Sequence, residues 1–473
     1  MTLGTQQNPL RTTEPMKIAR TMLKARFEGG KGLKEVQGRL FEWYGGKWEQ
    51  RDRVWLEDCG WQWLEDLHVA DDADGLVVKR FSPTEMKVGG VVRALEALVR
   101  VQVVSVPMWL DRLCASQVED VGCTMSFRDF IVDVKASART GEVVKVVRGP
   151  EWFDPCVMNV DLDLGAECPR WHRCLNEWSG GDEVWVELLR RWMGYCCMAH
   201  RRYAKWMLFH GKTRAGKGTI ATVLRWLLGH QGFFGTSLDE VAGAFGLDGL
   251  EFGRVLCVSE VSELGGREGE VAVRVLKNIL GRDPVSINAK YKRQTRNVVL
   301  GAAPMMQANE IPKLSNKGRG LSSKMLVLPF EFSFEGKEQH DLMDVLAEEL
   351  TGIAAWVLGG AIALEGAPSM EKFVQPGRSE EVTRDYHLAN NKMDDFLEAR
   401  FLKNAGGFVA NELLRHEWKD WVKKHPVGEV VGLHQLPKRI RVESSWSLQS
   451  VTSSCGVKGL RGLSLRKEHN DEG

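Results

Sequence analysis

The stretch KWMLFHGKTRAGKGTIATVLRWLLG, residues 205–229, decides how this chain is read. Its first six residues are an apolar run of strand character. Its last eleven carry apolar residues at helical spacing. Between them lie Gly211, Lys212, Thr213, Arg214, Ala215, Gly216, Lys217, Gly218 and Thr219. A glycine-rich loop between a strand and a helix is a phosphate-binding loop, or P-loop. Its glycines let backbone N–H groups converge on phosphate oxygens, and the helix N-terminus adds positive potential. Lys217 is the residue expected to reach the outer phosphates. The usual pattern sets Ser or Thr directly after the lysine, but Gly218 intervenes here. Thr219 is therefore the candidate on the Mg²⁺ side. The bland alternative is a chance glycine turn, and the agreement of strand, loop and helix argues against it.

A phosphate loop needs an acid to hold Mg²⁺ and polarise water. About forty residues on, RVLCVSE (254–260) is an apolar strand ending in a carboxylate. Glu260 is the first choice for that acid and for the Mg²⁺ site with Thr219; Glu263 is the second. Short apolar strands at Trp206–His210, Val255–Ser259, Val298–Ala302 and Met325–Phe330 alternate with helical stretches over 201–385. That alternation predicts an α/β sheet with ligands at its strand ends.

Four motifs follow one another: Gly211–Thr219, Glu260, KNILGRDPVSINAKYK (277–292) and ANEIPKLSN (308–316). In that order they resemble a superfamily 3 helicase, of the phage and plasmid primase-helicase and poxvirus-type helicase-primase kind. The resemblance covers about 150–385 well and 15–150 loosely. It implies a P-loop NTPase of AAA+ type, a hexameric homo-oligomer that uses ATP and Mg²⁺ to pull single-stranded DNA through a central channel. It also implies that the basic segment NAKYKRQTR (288–296) is a channel-lining hairpin tip. There Lys290, Lys292 and Arg293 would meet phosphates and Tyr291 would stack, as basic residues around an aromatic suit a nucleic-acid strand. A solvated basic turn is the bland reading. Asn309 matches the family's sensor, a carboxamide orienting the attacking water. The family's arginine finger aligns with Leu321-Ser-Ser-Lys324, where lysine offers a point charge without the bidentate fork. Lys324 or Arg319 is the candidate for that role across a subunit interface.

Around this centre the rest is ordinary. The chain has 473 residues, with 64 basic against 63 acidic and a net charge of +1. At roughly 100–200 residues per domain this suggests two to four domains. A uniformly basic coat and an acidic tail are excluded, local patches are not. The ten cysteines include no C-x-x-C pair, which argues for a reducing cytosol over a disulfide framework. The longest apolar stretch, Gly352 to Leu364, is too short to span a bilayer and reads as a buried helix. The first fifteen residues lack the apolar core of a signal peptide and are expected to form a flexible arm.

Residues 16–200 read as a mainly helical domain, with twelve of the seventeen tryptophans before residue 207 as its core. Within it, Asp182 and Glu183 should open a helix in which Val184, Trp185, Leu188, Leu189, Trp192 and Met193 fall at helical spacing. LFEWYGGKW (40–48) should form two strands around a Gly-Gly turn. The last part, 386–473, reads as a winged-helix-like domain: helices at Met393–Leu402 and Asn411–Lys424, a basic segment at Leu436–Val442, then a hairpin. Seven basic residues against one acid over 437–467 suit duplex DNA phosphate; a structural cap on the ring is the alternative.

Asp161 and Asp163 read as alternation on a half-exposed strand and not as a nucleotidyl-transfer site. No other primase motif is seen, so a primase or other replication protein would be a separate partner. Cys168, His172 and Cys174 have metal-ligand chemistry at an unusual spacing and read as a packed Trp–Cys face. Two rival readings remain. A nucleotide kinase shares the G-K-G-T ending. An origin-binding ATPase would use ATP for assembly without unwinding.

Overall fold

The computed structural model describes residues 4–70, 77–102, 106–111, 114, 117–199, 202–243, 246–259, 266–288, 295–312, 319–337, 339–390, 392–424, 432–444 and 446–466. The fold is mixed α/β. Toward the N-terminus come α1 (Pro15–Arg26), β1 (Leu33–Val36), β2 (Arg39–Tyr44), β3 (Lys47–Arg51), α2 (Arg53–Glu65), α3 (Glu85–Val99) and β4 (Arg100–Val101). Their sheet runs β3-β2-β1-β4. The β2–β3 turn uses Gly45 and Gly46 at φ +56° and +78°, the left-handed pair a tight hairpin requires. Helices α4 (Pro169–Ser179) and α5 (Glu183–Cys197) close this half of the chain.

The central unit is a parallel sheet. Its strands are β5 (Trp206–Gly211), β6 (Phe233–Thr236), β7 (Val255–Val258), β8 (Ala303–Ala308) and β9 (Met325–Phe330), in the order β6-β7-β8-β5-β9. Every neighbouring pair is parallel. Strands buried on both faces are near-continuous apolar runs, and alternate residues serve two cores. Met207, Phe209, Met305 and Leu328 join a core with Trp171, Trp185 and Trp192. Leu208, Met306 and Val327 join the other core with Leu276 and Ile279. Helix α6 (Lys217–Gly232) and helix α8 (Leu350–Gly366) pack in the first core; α7 (Gly266–Gly281) packs in the second. A separate antiparallel hairpin, β10 (Pro284–Asn288) with β11 (Thr295–Val299), stands between β7 and β8 in the chain.

Helices α5 and α8 approach closely because glycines meet at their crossing. A Cβ on Gly194 would lie 2.4 Å from the Ala361 nitrogen, and one on Gly360 2.2 Å from the Arg190 oxygen. The apolar stretch 352–364 is thus a buried core helix, as expected. No single described helix is long and apolar enough to cross a membrane. Among the described residues no cysteine is joined in a disulfide.

The chain ends in α9 (Lys392–Arg400), β12 (Phe401–Ala410), α10 (Asn411–Lys424), α11 (Leu436–Glu443), β13 (Gln449–Thr452) and β14 (Lys458–Leu465). Here the three strands form an antiparallel sheet in the order β12-β14-β13. A core of its own holds Phe396, Trp418, Trp421, Ile440 and Leu460.

Five expectations change. Asp161 and Asp163, expected on a half-exposed strand, lie outside every described strand. Of the strand expected at Val298–Ala302, only Val298 and Val299 are in a strand, as the end of hairpin strand β11; residues 300–302 are a break, and the sheet strand β8 opens at Ala303. Residues 16–200 are more mixed than expected: among the described residues, eleven short strands lie among their helices. The early tryptophans divide between several cores, and those at 171, 178, 185 and 192 serve the central sheet. The arm is tied down where Leu10 takes a backbone bond from its N–H to the His68 oxygen (2.9 Å) and accepts one from the Ala70 N–H (3.0 Å).

Candidate functional site

The loop between β5 and α6 is built by close backbone approach. Gly211 has φ +138°, and a Cβ there would sit 2.0 Å from the Phe330 carbonyl oxygen. Gly216 has φ +97°, with the Trp178 indole 2.6 Å from where a Cβ would be. Both positions need glycine for space and for conformation. Gly218 has open space around it. Helix α6 starts at Lys217 with no side chain capping it. The N–H groups of its first turn lie beyond the intrahelical ladder, and the dipole makes that end positive.

Lys217 is buried, 8% exposed. Its ammonium donates to the Gly211 carbonyl (2.7 Å), the Lys212 carbonyl (2.5 Å) and Oδ1 of Asn309 (2.9 Å). Burial holds its pKa below the ordinary lysine value. His210, the last residue before the loop's first glycine, is held below the ordinary imidazole value, first by burial and then by the Lys217 charge. Three acceptors around one ammonium show how the site balances a buried cation.

Residues 213–219 face Ser259 and residues 307–310 across a cleft of about 750 Å³. The parallel sheet explains this meeting. Phe209 of β5 is opposite Gln307 of β8, and His210 is opposite Ala308. Asn309 therefore emerges from the strand adjoining the loop strand, on the same sheet edge. On the far side of β8, β7 ends at Val258 and Ser259 enters the cleft. A loop of glycines, a lysine and a threonine on one helix N-terminus, with a carboxamide from the neighbouring strand's end, can hold a polyphosphate and position a water beside it.

Of the residues expected from sequence, Gly211, Lys217 and Asn309 are joined by hydrogen bonds, and Thr219 lines the same cleft. Glu260, Glu263, Lys290, Tyr291, Lys292 and Arg293 lie outside the described residues. Arg319 begins a short helix, Arg319–Ser322. Lys324 lies at the opposite sheet edge from the loop: the next residue, Met325, opens β9 opposite Trp206, and its ammonium meets the Leu280 carbonyl at 3.5 Å. Six strand residues separate it from that edge's far end, about 20 Å, so it does not serve the cleft of its own chain.

The sequence reading missed Gln307 and Ser259. Gln307 is in β8, two residues before Asn309, and its amide donates to Cys257 Sγ at 3.6 Å. Burial lifts that thiol to about 11. Strand period around Asn309 was the signal that could have found Gln307. The segment after β9 was also missed. Its Ser333 hydroxyl donates to the Thr213 carbonyl (3.0 Å) and its Phe334 N–H to the Arg214 carbonyl (2.9 Å). The Cys168 and Cys174 side chains lie in the apolar core, as a packed face requires.

A family model described as a family of unknown function (DUF5906) matches residues 209–319, a span that includes the loop and Asn309. No curated protein matches the chain. Similar solved structures include the apo C-terminal region of NrS-1 (305–718), with 10% identity and a TM-score of 0.49, covering 96% of this chain and 100% of that one. An A-form apo structure of the NrS-1 C-terminal region has 13% identity and a TM-score of 0.38, covering 64% and 78%.

Proposed function

We propose that this chain is an ATP-dependent DNA helicase of superfamily 3, with an AAA+ type P-loop core, acting in the replication of a phage or other mobile element. The observation that carries this reading is the hydrogen bond from Lys217 to Asn309 at the head of the cleft. It brings the phosphate-binding lysine and the sensor carboxamide together from two motifs 92 residues apart. The strand order adds support: β8, which ends at Ala308 just before Asn309, is inserted between the loop strand β5 and the strand that leads to Glu260.

In this reading Lys217 neutralises the outer phosphates. Thr219 and Glu260 hold Mg²⁺, Glu260 activates water, and Asn309 orients it toward the γ-phosphate. Lys324 or Arg319 completes the site of a neighbouring copy, which suits the distance of Lys324 from its own cleft. Hairpin β10–β11 would carry Lys290, Tyr291, Lys292 and Arg293 to a single strand in a hexameric channel. The terminal module follows the order helix, strand, helix, helix, strand, strand, that of a winged helix. Its exposed Lys438 and Arg441 on α11 and Lys458 and Arg461 on β14 would meet duplex phosphate.

The test is ATP turnover with and without single-stranded DNA, together with unwinding of a forked duplex. Lys217→Ala should lower turnover at least about 100-fold while leaving the melting temperature unchanged. Full turnover by that variant would sink the site assignment. Hydrolysis without unwinding would favour the assembly ATPase, and phosphate transfer to a nucleoside monophosphate the kinase.

A further inference from the structure

The cleft has a direction. Asn309 stands at the end of β8, on one side of the loop strand β5; β9 lies on the other side. A triphosphate whose terminal group meets Lys217 and Asn309 must run along the loop away from β8. Its nucleoside end is then delivered toward the β9 side of the loop.

The segment leaving β9 is fixed against the loop. Phe330 accepts from the Lys212 N–H (2.9 Å), and Ser333 and Phe334 bond the carbonyls of Thr213 and Arg214. Phe330 is buried and Phe334 packs on the core beside it. Phe332 lies between them and is 42% exposed. Its ring edge rests on Gly180, where a Cβ would come within 2.5 Å of it. The ring is thus supported from beneath by a glycine turn at φ +63° and kept on the surface beside a phosphate loop. Tethers on both sides leave it little freedom to turn away.

We propose that Phe332 is the face on which the nucleoside base stacks. This rests on the nucleotide reading of the cleft and adds a base-recognition residue to it. Stacking on one aromatic face takes any planar base and is strongest for purines, so the ring supplies affinity for the nucleoside and leaves phosphate contacts untouched.

Titration calorimetry with Mg²⁺ separates the two parts of the ligand: ATP carries the base, inorganic tripolyphosphate does not. Phe332→Ala should weaken ATP about tenfold and leave tripolyphosphate binding unchanged. Phe332→Tyr should restore ATP affinity. Unchanged ATP binding in Phe332→Ala overturns the proposal. So does an equal loss for both ligands, which would mark a ring that only props the loop. If the unmodified protein binds neither ligand, the phosphate-loop reading itself falls, and this assignment with it.

Discussion

Gly211 and Gly218 share one loop and tolerate opposite changes. At Gly211 a methyl group would strike the Phe330 carbonyl oxygen at 2.0 Å, on a backbone held at φ +138°. Gly211→Ala should therefore cost about 1–3 kcal/mol, seen as a lowered melting temperature. At Gly218 nothing lies within 4 Å of the added Cβ, so Gly218→Ser should leave the melting temperature unchanged. A destabilised Gly218→Ser with a tolerated Gly211→Ala would contradict the loop geometry. At this scale the sequence was most informative. Spacing singled out Lys217, because a phosphate loop demands fixed residue types at fixed offsets; Asn309 came only from the resemblance to superfamily 3 helicases. Neither could single out Trp178, whose indole sits under Gly216, since nothing local marks a contact made across 38 residues.

Elements were legible where a cap or a turn marks their ends. Asp182 was read as the start of a helix, and its carboxylate does accept from the N–H groups of Val184 (2.9 Å) and Trp185 (3.1 Å). Val184 shares the helical spacing yet is 42% exposed, because it stands in the first turn where the apolar face has not yet met the core. The sheet strand β8 was misplaced for a physical reason. Apolar residues run from Val298 to Met306 with only Gly301 between, and Pro304 argues against a central strand. Hydropathy therefore gave no boundary between hairpin and sheet.

Just before β7, Arg254 donates to Asp154 at 2.8 Å, with the two side chains 5% and 3% exposed. Asp154 also accepts from the Ser126 hydroxyl (2.7 Å) and the Cys156 N–H (3.0 Å). Arg254→Met would leave a buried carboxylate without its cation, and should cost about 3–5 kcal/mol in denaturant unfolding. A loss under about 1 kcal/mol would mean that the carboxylate takes up a proton or finds water at little cost.

For the whole molecule, the net charge of +1 is an average over unlike parts, with basic residues gathered on α11 and β14. Contacts between distant segments are what the sequence could least reveal. Arg39 on β2 pairs with Asp248 and, at 3.0 Å, with Glu251, whose side chain is only 1% exposed. Beside them Phe41 meets both Phe252 and Phe153 edge to face, each at 5.1 Å. These contacts fasten the N-terminal sheet to residues 248–252, which lead directly into β7 and so toward Glu260. The pair Arg39–Glu251 spans 212 residues, and no periodicity carries information over that range. Arg39→Ala would remove the cation beside the buried Glu251 carboxylate, which keeps its bond from the Gly249 N–H (2.9 Å), and should cost about 1–3 kcal/mol. The distinguishing measurement is hydrogen exchange resolved by segment. Amides of 248–253 should exchange faster in the variant, while those of α6 and β5, held by the central cores, keep their rates. Uniform acceleration along the chain would mean that Arg39 supports global folding, not this junction. Unchanged rates at 248–253 would mean that the aromatic cluster alone holds the two units together.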